Sequence, residues 1–98
     1  MNKYIKIAGL NYKIKETNSF LYDRDGIEVD GLTNIDKQTI KLSFCKGVGK
    51  DYKRLILLHE LTHLLFYYAG TGNKLWKNEK DVNNFSVLLH QVLKDNKI

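Results

Sequence analysis

Ninety-eight residues, 43% of them hydrophobic, with no proline, can bury one small core and leave little room for a second. Sixteen Lys and Arg against eleven Asp and Glu give a net charge of +5, but the lysines are scattered and form no Arg-rich or Gly-aromatic block, so nucleic-acid binding is not expected. The chain has neither an apolar leader nor an apolar run of about 18 residues, and Cys45 is its single cysteine, so membrane association is not expected and a reducing, cytoplasmic setting is.

In chain order, residues 1–49 read as strand and turn. In "KYIKI", Ile5 and Ile7 alternate with Tyr4 and Lys6, and in "NYKIKE", Tyr12 and Ile14 alternate with Lys13 and Lys15. A period of two predicts half-buried strands, with Gly9 in the turn between them. "YDRDGIEVDG" is polar and glycine-punctuated and reads as a loop with a short extended piece. "GLTNIDKQTIKLSF" reads as a second hairpin, turning near Asp36 and Lys37, with Ile40, Leu42 and Phe44 on one face of its second strand.

Residues 51–69 and 78–95 read as helices. Asp51 can cap or open the first, and Gly70 and Gly72 supply its stop. The near-continuous apolar content from Leu55 to Ala69 predicts a central helix, covered by the sheet and by its partner helix. Asn78 is an N-cap for the second helix, with Asp81 three residues on. Val82, Phe85, Leu89, Val92 and Leu93 form the second helix's apolar stripe. Sheet first and helices after predict a single α+β domain, with antiparallel hairpins packed on the first helix.

That first helix contains "LILLHELTHLLF", in which His59-Glu60-Leu61-Thr62-His63 fits the H-E-x-x-H pattern. Residues four apart lie one turn apart on one helix face, so both imidazoles can reach one ion. Glu60 sits about 100° round the helix from His59, too displaced for a natural ligand but close enough to take a proton from metal-activated water. The other reading is a core helix with hydrogen-bonded histidines. It must then explain two imidazoles and a carboxylate sharing one turn, where unpaired burial costs several kcal/mol.

A catalytic zinc of this kind needs three protein ligands and an open position. Glu79, Asp81, His90 and Asp95 follow the motif, and Phe66 stands where a third-histidine extension would need glycine. Glu79 and His90 share a helix face but lie ~16 Å apart along it, so only one can serve. Glu79 is the better placed, in the first turn of a helix that would return antiparallel beside the histidines. Asn83, one turn on, could steady its carboxylate. The alternative for Glu79 is an ordinary glutamate at a helix start, favoured there by the dipole.

The combination of "HELTH" with Glu79-x-x-Val82-Asn83-x-Phe85-Ser86-x-x-Leu89 resembles the ImmA/IrrE-type metallopeptidases, and the chain as a whole resembles the very small gluzincins called minigluzincins. The likeness covers residues 51 to 93; the strand-rich half agrees only in outline, and "LHQVL" replaces the Leu-Met-Pro ending of the family's helix. The resemblance implies a zincin-like fold and Zn2+ held by His59, His63 and Glu79. It also implies Glu60 as general base and a protein or peptide substrate, with a repressor-like regulator among such partners.

A peptide substrate often pairs with an edge strand beside the metal helix. The candidate edge is residues 39 to 44, with Ile40, Lys41, Leu42 and Ser43 at its centre; the alternative is an ordinary internal strand. His90, Tyr67, Tyr68 and Tyr22 are conceivable oxyanion donors, although each also suits a packing role. Cys45 reads as a small buried hydrophobe and Trp76 as an anchor for the helix–helix loop. Two functions follow: a zinc peptidase, or a metal-stabilised module that holds a partner protein without cutting it.

Overall fold

The computed structural model describes residues 3–44, 49–70 and 77–96. Expectations for Cys45, Gly72 and Trp76 lie outside them. Strands β1 (Lys3–Ile7) and β2 (Leu10–Thr17) form the first hairpin, with Ile7 opposite Leu10. Its two turn residues, Ala8 and Gly9, both take positive φ, +52° and +79°. Positive φ at both positions matches the right-handed twist of the flanking strands and suits glycine at the second.

The chain then makes a small separate hairpin, β3 (Leu21–Tyr22) with β4 (Glu28–Val29). Its turn is organised by Asp23, whose Oδ1 accepts from the amides of Asp25 and Ile27, both at 2.9 Å. Strands β5 (Gly31–Asn34) and β6 (Thr39–Ser43) pair antiparallel as the second sequence-predicted hairpin. Asn34 Oδ1 accepts from the Lys37 amide inside the turn at 2.9 Å.

The main sheet runs β1-β2-β6-β5, with β6 parallel to β2 and every other pair antiparallel. Residues 39–43, the candidate edge, therefore lie inside the sheet, and Ile40, Lys41, Leu42 and Ser43 are paired on both sides. The physical reason is the crossover: β3, β4 and β5 all fall between β2 and β6, which leaves the groove beside β2 open for β6. The edges are β1 and β5; the one against α1 is β5, a strand of four residues containing Gly31, and short edges of this kind are common.

Helix α1 (Lys50–Tyr68) lies against β5 and β6 on one side and α2 (Glu79–Asp95) on another. Ile56, Leu58, Glu60, Thr62 and Leu64 are all buried, as its central position predicts. Asp51 opens α1 rather than capping it: Gly49 holds the cap position, and Asp51 pairs with Lys94 of α2 at 2.7 Å. The helix ends at Tyr68 with Ala69 as its C-cap, and Gly70 just beyond, at a φ of +65°, turns the chain away. Asn78 caps α2, accepting from the Asp81 amide at 3.2 Å.

Ile7, Tyr12, Ile40, Leu42, Ile56 and Leu64 make the core between sheet and helix. Tyr12 is fully buried, and its hydroxyl hydrogen-bonds to that of Tyr68, so its polar end is satisfied. The stripe on α2 is narrower than its sequence suggests. Val82 and Ser86 are fully buried, but Phe85 and Val92 remain 45% and 44% exposed. Phe85 meets the ring of Phe66 at an angle of 65°, centroids 5.3 Å apart, and among the described residues the main packing of α2 is against α1. Among the described residues no helix is long and apolar enough to cross a membrane.

Candidate metal centre

The site begins with two histidines one helical turn apart. On α1, His59 and His63 bring their ring centroids to 5.1 Å. Glu79, the first residue of α2, faces both: Oε2 lies 2.9 Å from His59 Nε2 and Oε1 lies 3.0 Å from His63 Nε2. One donor atom from each residue can be chosen so that all three lie within 4.8 Å of one another. Two imidazole nitrogens and one carboxylate oxygen at that separation fit a metal ion. Asp81 and Asp95 are not in this group, nor is His90, which adds to the field around Asp51.

Exposure is graded across the site. The Glu79 side chain is 69% exposed, His59 22% and His63 14%, whereas Glu60 as a residue is only 7% exposed. Glu60 reaches toward β5 and lines the same cavity as the donor set. Its Oε1 accepts a hydrogen bond from Thr33 Oγ1 at 2.8 Å. Its carboxylate lies so close to Gly31 that a Cβ built there would stand 2.8 Å from Cγ and 2.9 Å from Oε2. Any other residue at position 31 would meet the carboxylate.

Burial pushes the Glu60 carboxyl above the usual glutamate range. The Thr33 hydrogen bond and the two histidines oppose that shift, and the negative charge of Glu79 adds to it. The result is a dry carboxylate whose proton affinity exceeds that of one in water.

These groups share a cavity of about 720 Å³. Its walls include Leu32 and Thr33 of β5 and the acidic residues Asp23, Glu28 and Asp30. Asn83 lines it too, but no hydrogen bond joins its side chain to Glu79 among the described residues; its backbone carbonyl accepts from Ser86 at 3.0 Å. Tyr22, Tyr67, Tyr68 and His90 are not in the lining. Tyr52 is, donating to Asp30 Oδ2 at 3.0 Å.

The outer edge of β5 faces away from β6. The Ser43 amide donates to the Asp30 carbonyl at 2.8 Å, and Asp30 is directly opposite Ser43 when the pairing of Gly31 with Leu42 is extended. In an antiparallel ladder these bonded pairs alternate. Leu32 and Asn34 therefore direct their peptide groups to β6, and Gly31 and Thr33 direct theirs outward. Gly31, Thr33 and Tyr52 escaped the sequence reading. The one signal was a glycine inside a strand, which can mark a close approach.

Compared with protein-family models, with curated proteins and with solved structures, the chain has no match.

Proposed function

We propose that this chain is a zinc-dependent peptidase of gluzincin type, with a zincin-like arrangement of sheet and helices. The carrying observation is the division of labour among the carboxylates: Glu79 joins the histidines as a donor, while Glu60, next to His59, is buried and hydrogen-bonded to Thr33. Two imidazoles, one carboxylate and an open fourth position are the donor chemistry of catalytic zinc sites. The motif's resemblance to ImmA/IrrE-type enzymes supports the same reading.

Zinc bound there would supply Lewis acidity to a peptide carbonyl and to water. The chain's own residues do the rest. An extended peptide adds to the outer edge of β5, where Gly31 and Thr33 offer main-chain hydrogen bonds. Glu60 accepts a proton from water as the new C–O bond forms and returns it to the amine nitrogen as the C–N bond breaks. Its dry setting favours this, because a proton acceptor works best when its affinity is raised toward the operating pH.

Glu60→Gln should keep one zinc per chain and lose hydrolysis by about 10²- to 10⁴-fold. Metal analysis of natively folded protein showing neither zinc nor a similar ion would end this reading.

A second reading has its own observation. Phe85, Leu88 and Val92 are exposed at helical spacing on α2, which suits a module that holds a partner such as a repressor-like regulator. Equal partner capture and equal cellular effect from wild type and Glu60→Gln would favour it.

A further inference from the structure

Glu60 is tied to the sheet by two residues of one strand. Thr33 gives its hydroxyl hydrogen to Glu60 Oε1 at 2.8 Å. Gly31, two residues earlier and therefore on the same face of β5, leaves empty the space that a Cβ would fill 2.9 Å from Cδ and Oε2. One contact fixes an oxygen; the other admits the carboxylate. These are also the two residues whose peptide groups point to the open edge of the sheet.

We infer that Thr33 and Gly31 are positioning residues for Glu60, so that the strand edge offered to an extended peptide also sets the geometry of the group that moves the proton. The inference rests on the peptidase reading for its kinetic consequence, but the placement of the carboxylate stands apart from it. A proton acceptor must lie within about 2.6–3.2 Å of its donor, so a carboxylate free to rotate spends less time in register. Thr33 acts through Glu60 and does not itself exchange a proton with substrate. A bulkier residue at position 31 acts in the same way, because the atoms it meets belong to a side chain that can swing rather than to backbone.

The test uses the full chain with zinc and an internally quenched peptide library as substrate. Thr33→Val keeps the shape and removes the hydroxyl; Thr33→Ser keeps the hydroxyl. Thr33→Val and Gly31→Ala should lower kcat by about 10- to 100-fold. KM should stay within about twofold and zinc stoichiometry should not change, because neither residue is a donor to the metal. Thr33→Ser should recover most of the rate. Packing alone would predict parallel changes in kcat, KM and Tm, without rescue by serine.

Crystal structures of Thr33→Val and Gly31→Ala supply a readout that needs no activity: the Glu60 carboxylate should be displaced in both. If wild type binds zinc and cleaves nothing, the peptidase reading fails and these structures still decide the positioning. Unchanged kcat in an active Thr33→Val enzyme, or a carboxylate undisturbed in both variants, overturns the inference.

Discussion

Removing Glu79 tests the assembly of the site most directly, because it is the one donor that α2 contributes. Its side chain is 69% exposed, so Glu79→Ala opens no cavity, and losing its exposed pairs with His59 and His63 should alter metal-free stability by no more than about 1 kcal/mol. The metal-bound protein should behave differently. A ligand present at 100 times its Kd stabilises the folded state by about 2.7 kcal/mol. In a domain of this size each kcal/mol moves Tm by about 4–8 °C, so zinc should raise the wild-type Tm by about 11–22 °C. Losing one of three donors should weaken zinc binding by at least about 100-fold, larger than the usual loss of a supporting residue. At the same zinc concentration the rise in Tm should then shrink to about 3 °C or less. Differential scanning calorimetry with and without zinc, paired with a chelator-competition titration, reads both quantities. If Glu79→Ala keeps the full zinc-dependent rise, the third donor is not Glu79 and the joining of α1 to α2 through a metal is wrong.

Two further substitutions probe the frame around the site. Leu64 is fully buried in the core, so Leu64→Ala should lower unfolding free energy by about 2–5 kcal/mol in urea titrations. Asn78→Ala removes the α2 cap, which should cost about 1 kcal/mol. It should also weaken zinc binding, because Glu79 occupies the turn that frays; calorimetric titration that finds unchanged affinity would show that the cap does not hold Glu79.

The parts of the site that lie within one helix were legible in sequence. Four-residue spacing fixes His59 and His63 on one face in any α-helix, and the apolar flank puts that helix in the core. Glu79 was legible by a longer argument, from a short connection and a helix start. The edge strand was not. Alternation in "TIKLSF" reports a strand with one buried face and carries no information about what pairs on either side. Pairing of β6 with β2 joins segments about 25 residues apart and depends on where the intervening hairpins go. Thr33 and Gly31 were hidden for the same reason, since their importance comes from packing against α1 rather than from spacing. The α2 stripe was overread because helical periodicity marks apolar positions without counting how many neighbours are present to cover them. Phe85 and Val92 show the shortfall.

The burial of Glu60 gives the strongest contrast between a carboxylate kept for stability and one kept for chemistry. Its pKa is raised in the folded state, chiefly because burial disfavours the charge. A group that holds its proton more tightly when folded adds stability below its unfolded pKa, about 4.3 for glutamate, and loses that contribution as pH rises through the folded value. In metal-free protein at pH 7, Glu60 should therefore be a net burden. Glutamine has nearly the same shape and retains a carbonyl oxygen to accept from Thr33, but it carries no charge to desolvate. Metal-free Glu60→Gln should thus melt higher than wild type at pH 7, by about 4–8 °C if about 1 kcal/mol is relieved. The difference should narrow as pH falls toward 4, where wild type takes up the proton. Thermal melts in chelator across that range read the sign directly. A variant less stable than wild type at pH 7 would mean that Thr33 and the two histidines outweigh the desolvation, and Glu60 could then be kept for structure alone. A variant that is more stable yet inactive would show that the fold tolerates this charge at a cost in stability, which a purely structural helix has no reason to bear.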